Sequence, residues 1–75
     1  MTEEKFLEIV SSALEVNVSE LNLETKMYDI ESWDSLGQLA ILTALSESTE
    51  DKTSEIDGLG SMIVLSDIFN AVKDI

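Results

Sequence analysis

Apolar residues recur at spacings of three and four in this 75-residue chain, and no stretch shows the alternation typical of a strand. The clearest stripe lies in residues 2–15 and holds Phe6, Ile9, Val10, Ala13 and Leu14. Thr2 can cap this segment, and Glu3 and Glu4 would lie near the positive end of the helix dipole. The pattern therefore predicts a first helix.

Two further helices are predicted. One begins near Asp34 or Ser35 and ends at about Ser48, and it is nearly apolar on all sides for two turns. We expect it to be the central helix, contacted from several directions. The other lies in residues 63–75, where the residues at helical spacing are Leu65, Ile68, Phe69 and Val72.

The segments between these helices differ in polarity. Residues 16–33 are too apolar for a solvated linker, so we expect an ordered connection that buries Leu21, Leu23, Met27 and Ile30. Residues 46–55 indicate a solvated loop, and residues 56–62, which contain Gly58 and Gly60, indicate a short or irregular helix. The predicted fold is a single all-α domain over residues 1–75, a small four-helix bundle of three main helices and one short one.

The net charge is −12, from 4 basic and 16 acidic residues, which disfavours binding to nucleic acids or anionic membranes. Partners should carry basic surfaces. The chain has no His and no Cys, so independent catalysis and a metal site of soft ligands are not expected. No signal peptide is visible, and the longest uncharged run, residues 35–46, is too short to span a membrane, so we expect a cytoplasmic protein. We also expect a monomer.

The acidic residues 51–58 suggest a calcium loop, but the spacing does not fit. An EF-hand needs glycine at its sixth position and a bidentate glutamate at its twelfth, where a count from Asp51 reaches Ile56 and Met62. We predict no metal ligands.

The segment Glu31-Ser32-Trp33-Asp34-Ser35-Leu36-Gly37 puts a serine hydroxyl in the first turn of the second helix. A group attached there would lie beside unpaired backbone N–H groups. Two capping explanations stand beside this functional one. Ser35 and Gln38 are spaced as in a capping box, and Asp34 could itself be the N-cap.

With the tripeptide Asp34-Ser35-Leu36 opening its second helix about 35 residues into an acidic chain, the sequence resembles the acyl and peptidyl carrier proteins. In that family the serine carries 4′-phosphopantetheine, whose thiol holds acyl or aminoacyl groups as thioesters. The resemblance implies that Ser35 is the attachment point and that a separate phosphopantetheinyl transferase modifies it from coenzyme A. The protein would then be a carrier and not an enzyme.

The resemblance also implies roles for neighbouring residues. Asp34 would orient the modification site. The partner contacts would be Trp33, Leu36, Glu31 and Glu47, facing loading and processing enzymes with basic docking surfaces. Trp33 could equally be packed in the loop.

The chain departs from fatty-acid carriers, which commonly place acids on the second helix where this chain has Gly37 and Ala40. The sequence around Trp33 is more similar to stand-alone carriers of polyketide, nonribosomal-peptide or aminoacyl pathways. The alternative function is an unmodified acidic helical adaptor that binds basic proteins and uses Ser35 only as a helix cap.

Overall fold

A computed structural model describes residues 1–75 except for the side chain of residue 54. Three α-helices, α1 (Glu3–Leu14), α2 (Ser35–Ser48) and α3 (Leu65–Val72), are joined by segments that contain short 3-10 turns. The described residues form no strand, only one isolated bridge between Lys26 and Val64. The predicted all-α class is confirmed.

Helix α1 begins as its sequence predicts. The Thr2 hydroxyl oxygen accepts a hydrogen bond from the Lys5 backbone N–H at 3.1 Å, so one unpaired donor of the first turn is satisfied. The helix ends at Glu15, which adopts the left-handed conformation with φ 58°. Its buried face carries Phe6, Val10, Ser11 and Leu14.

Helix α2 has the predicted bounds, and it leaves part of its apolar surface exposed. Its buried face consists of Gly37, Gln38, Ile41 and Leu45. Helix α2 contacts α1 and both 3-10 turns that follow it, as expected of a central helix, but Leu36 and Leu39 are 77% and 61% exposed in its first two turns. The apolar composition of α2 reflects a core face together with an apolar solvent face.

The connection between α1 and α2 packs on the core, as predicted. Leu21 is buried, and Leu23, Met27 and Ile30 are half-buried against the core cluster. The segment also holds Trp33 in the core, with 2% of its surface exposed.

The same connection provides hydrogen-bond acceptors for the first backbone N–H groups of α3, because that helix has no side-chain cap. The Leu65 N–H donates to the Thr25 carbonyl at 3.0 Å, and the Ser66 N–H donates to the Leu23 carbonyl at 2.8 Å. These long-range backbone bonds replace a local N-cap.

The segment between α2 and α3 is more buried than predicted, and the short helix predicted in residues 56–62 is not confirmed as an α-helix. It contains 3-10 turns at Lys52–Glu55 and Leu59–Ser61, with no α-helix among its described residues. Thr49 and Thr53 are buried, so residues 46–55 are not a solvated loop throughout. The Thr49 hydroxyl donates to the Leu45 carbonyl at 2.8 Å, which lets a polar residue lie inside.

The core joins all three helices. The rings of Phe6 in α1 and Phe69 in α3 lie 5.3 Å apart, and the Met1 ammonium donates to the Lys73 carbonyl at 2.7 Å beyond the end of α3. The buried apolar residues are Phe6, Val10, Leu14, Leu21, Trp33, Ile41, Leu45, Leu59, Leu65, Ile68 and Val72. Because Trp33 belongs to this cluster, the chain entering α2 is anchored two residues before Ser35.

Candidate functional site

Asp34 caps α2. Its backbone is extended, and its Oδ1 accepts a hydrogen bond from the Gly37 N–H at 2.9 Å. The Asp34 carbonyl accepts from the Gln38 N–H at 2.8 Å, which is the first hydrogen bond of the helix. Asp34 is therefore the N-cap, and the alternative in which Ser35 fills that position is wrong.

Ser35 is the first residue of α2, and it is exposed. Within the described part of the chain, its hydroxyl makes no hydrogen bond, since Asp34 has already satisfied the nearby donor. A hydroxyl in this position is accessible from solvent, and the helix dipole favours an anion attached to it.

Of the two roles predicted for Trp33, the partner contact is wrong and packing in the loop is confirmed. Its ring is 2% exposed, and its Nε1–H donates to Gln38 Oε1 at 2.6 Å. A side chain buried in this way cannot contact a partner in this conformation. Its packing holds the loop against the start of α2 instead.

Gln38 was predicted only as the second member of a capping box with Ser35, and that prediction is wrong. Its side chain points away from the cap and is 8% exposed. Besides accepting from Trp33, it donates through Nε2 to the carbonyls of Gly60 and Met62 at 3.1 and 3.0 Å. Gln38 therefore links three segments, and its buried amide is fully used.

Gly37 has a steric role. A β-carbon at this position would collide with the Ser32 carbonyl oxygen and would lie 2.9 Å from Leu14 Cδ2. The chain before α2 and the end of α1 both approach α2 at the glycine. This close approach explains why no acidic side chain follows Leu36 here.

The solvent face beside Ser35 is apolar with an acidic border. Leu36 and Leu39 are both exposed, and because they are three residues apart on a helix they lie on the same face. Glu31 and Asp34 are exposed there as well, whereas Glu47 is exposed in the last turn of α2, about 18 Å further along the helix. We refer to the surface formed by Ser35, Leu36 and Leu39 as the α2 start surface.

A shallow groove next to this surface is rich in carboxylates. The acidic residues that line it are Glu15, Glu20, Asp29, Glu31 and Asp34, and no lysine is among its lining residues. Glu20 and Asp29 are partly engaged, since they accept hydrogen bonds from the backbone N–H groups of Asn17 and Lys26. The groove gives the surroundings of Ser35 a negative potential.

Two other features are absent from the described residues. No group of three or more His, Cys, Asp or Glu side chains is arranged to hold a metal ion. No helix is long and apolar enough to cross a membrane.

Comparison with known proteins finds no family model, no curated protein and no solved structure that matches this chain.

Proposed function

We propose that this protein is an acyl or aminoacyl carrier that holds pathway intermediates as thioesters on a 4′-phosphopantetheine arm attached to Ser35, in the cytoplasm. One observation carries the proposal. The Ser35 hydroxyl is exposed at the start of a 14-residue helix and is not used as a cap, because Asp34 has that role. A serine kept free and accessible at this position suits covalent modification better than a structural role.

The surroundings of Ser35 fit the arm. A phosphodiester on the hydroxyl would lie at the positive end of α2, which favours its charge and acts against the negative potential of the neighbouring carboxylates. Asp34 would keep the first turn formed while the hydroxyl reacts, since its carboxylate is bonded to the Gly37 N–H. When bound, the arm supplies a thiol that forms thioesters, which the chain itself cannot supply because it has no Cys.

Modification would be a single phosphoryl transfer catalysed by a separate transferase. The Ser35 oxygen forms a bond to the β-phosphorus of coenzyme A, and the bond to the bridging anhydride oxygen breaks. The leaving group is 3′-phosphoadenosine 5′-phosphate, and the hydroxyl proton passes to a base of the transferase. Base and divalent metal come from the transferase and its coenzyme A substrate, so the absence of His here is no obstacle.

The α2 start surface supports docking of partner enzymes. Leu36 and Leu39 offer an exposed apolar contact directly beside the modification site. The carboxylates of Glu31 and Glu47 would meet basic residues at the edge of such an interface and would act mainly on the rate of encounter. The partners we propose are the transferase and the enzymes that load and process the cargo.

We also propose that the helices have the arrangement of an acyl carrier bundle. On this view the 3-10 turns at Lys52–Glu55 and Leu59–Ser61 lie where that family has its short helix.

The proposal is tested by intact mass after incubation with coenzyme A, Mg²⁺ and a transferase of broad specificity. The wild-type protein and Ser66→Ala should each gain one phosphopantetheine, and Ser35→Ala should gain none. Ser66 is the matched control because it is the serine in the first turn of α3. Lack of modification under conditions that label a known carrier would overturn the proposal.

The unmodified adaptor stays an alternative, and the exposed Leu36 and Leu39 support it equally well. Its version with Ser35 as the helix cap is excluded by the Asp34 cap. An adaptor would bind its partner with the same affinity whether residue 35 is serine or alanine. For a carrier, Ser35→Ala should abolish the transfer of cargo, because the attachment point of the arm is missing.

A further inference from the structure

An open groove runs between α1 and α2 on a side of the molecule that faces solvent. Its described lining residues all come from these two helices and none from α3. The apolar residues that line it are Ile9, Ala13, Leu39, Ala40 and Ala44. Leu39 is 61% exposed, and the other four are half-buried. We refer to this surface as the α1–α2 groove.

The two helices run in opposite directions along the groove. A β-carbon on Gly37, near the start of α2, would lie 2.9 Å from the Cδ2 atom of Leu14 at the end of α1. One end of the groove is therefore near the α2 start surface, with Leu39 in both. From Leu39 to Ser48 the groove follows α2 for about 14 Å, which matches two to three turns of a partner helix.

The far end of the groove is acidic. Glu8 of α1 and Glu47 of α2 are exposed there, and Lys5 is the single basic residue among the described lining residues. The net charge of the whole chain is −12. A second copy of the chain and an anionic membrane would both be repelled, whereas a basic protein segment would be attracted.

The walls of the groove favour a helical occupant over an extended one. An extended peptide gains affinity from hydrogen bonds to a strand edge, but the backbone groups inside α1 and α2 are already paired within the helices. A helix satisfies its own backbone groups and needs only side-chain contacts. The small side chains of Ala13, Ala40 and Ala44 leave room for larger apolar side chains of such a helix.

We infer that the α1–α2 groove is a docking site for a basic amphipathic helix of a partner protein. The apolar stripe of that helix contacts Ile9 and Leu39, and its Lys or Arg side chains meet Glu8 and Glu47 at the acidic end. Ser35 is not among the described lining residues, so a bound helix does not need the arm. A carrier and an adaptor could both use this site.

The probe is a synthetic peptide of about 18 residues, long enough to become helical on binding, with leucines at helical spacing and lysines elsewhere. A peptide of the same composition in scrambled order has the same charge but no apolar stripe. Backbone amide signals of isotopically labelled protein report both the affinity and the site. We expect the striped peptide to bind at least about tenfold more tightly than the scrambled one. It should shift the signals of Ile9, Ala13, Ala40 and Ala44.

The variant Ser12→Glu separates docking in the groove from attraction between charges. Ser12 is exposed and lines the groove, so glutamate both occupies space there and adds a negative charge. Docking predicts that the striped peptide binds about tenfold more weakly, whereas attraction by charge alone predicts equal or tighter binding. Thr43→Glu, exposed on the α2 side of the groove, should behave like Ser12→Glu and serves where that variant does not fold. Asn70→Glu is the matched control, since it adds the same charge at an exposed position of α3 and should not weaken binding.

Several results would overturn the inference. Equal binding of the two peptides, or undiminished binding to the folded groove variants, would show that charge alone attracts the peptide. Shifts confined to the carboxylate-rich groove around Glu31 and Asp34 would place basic segments there instead. Absence of binding, or pairing of two copies through the α1–α2 groove in sedimentation, would also overturn it. These measurements use the unmodified chain, so their outcome is independent of whether Ser35 is modified.

Discussion

The starts of α2 and α3 both carry a serine and an aspartate, yet they are built differently. At α2 the aspartate caps the helix, and Ser35 remains exposed with its hydroxyl unused. At α3 no side chain caps the helix, and the N–H groups of Leu65 and Ser66 bond to carbonyls of the long connection. A serine near a helix start is thus not a site in itself. The local cap and the exposure of the hydroxyl make Ser35 the candidate.

The comparison predicts that the start of α2 is sensitive to its own side chains. Gly37→Ala should lower the free energy of unfolding most, by about 3 kcal/mol, because the new methyl collides with the Ser32 carbonyl oxygen. Gly60→Ala is the matched control, since a β-carbon there would lie 3.5 Å from Leu42 Cδ1, an ordinary contact. Urea unfolding measures both, and equal effects would contradict the close approach at Gly37.

Gln38→Ala comes next, with an expected loss of about 2 kcal/mol, because it leaves the Trp33 indole N–H and two backbone carbonyls without their partner. Thr43→Ala, at an exposed position of the same helix, should change stability by less than about 0.5 kcal/mol. Thermal unfolding of both variants checks this. A loss for Gln38→Ala no larger than that of Thr43→Ala would show that the buried amide does not join the three segments.

Asp34→Ala should cost about 1 kcal/mol, as expected for a lost N-cap. Asp67→Ala, in the first turn of α3, should cost about 0.3 kcal/mol through the helix dipole alone, because α3 has no side-chain cap. Ser35→Ala should stay within about 0.5 kcal/mol of wild type. A larger loss for Ser35→Ala than for Asp34→Ala, in chemical denaturation, would reverse the assignment of the cap.

The smallest effect concerns two exposed carboxylates, Glu31 before α2 and Glu47 in its last turn. Glu31→Gln and Glu47→Gln should each slow association with the transferase about two- to threefold at low salt, as for single exposed charges. The difference should vanish as salt rises, because exposed charges are screened. Stopped-flow binding at two ionic strengths measures this difference in association rate. An association rate that does not change with salt would contradict the role of these carboxylates in the encounter.

The sequence predicted the features that depend on neighbouring residues, namely the bounds of α1 and α2. The stripe from Phe6 to Leu14 and the run from Ser35 to Ser48 predicted α1 and α2 within a residue, because helical spacing and caps act over a few positions. The sequence could not decide between Asp34 and Ser35 as cap, since both residue types suit that position. The choice depends on the extended backbone of Asp34, which the packing of Trp33 anchors from one residue before.

What depends on distant contacts was not predictable. Gln38 donates hydrogen bonds to carbonyls 22 and 24 residues away. Carbonyls of the connection between α1 and α2 accept hydrogen bonds from the first N–H groups of α3, which are distant in the sequence. The polar composition of residues 46–55 concealed the burial of Thr49 and Thr53. A glycine inside an apolar helix was the one available signal of close approach, and it pointed to Gly37.

The central claim, that Ser35 and not another serine carries the arm, is tested most directly by fragmentation mass spectrometry of the protein after reaction with coenzyme A and a transferase. The account predicts one phosphopantetheine on the peptide that contains Trp33 to Leu36, located on Ser35. A modification on Ser66 or on any other serine, or none at all beside a labelled control carrier, would contradict it.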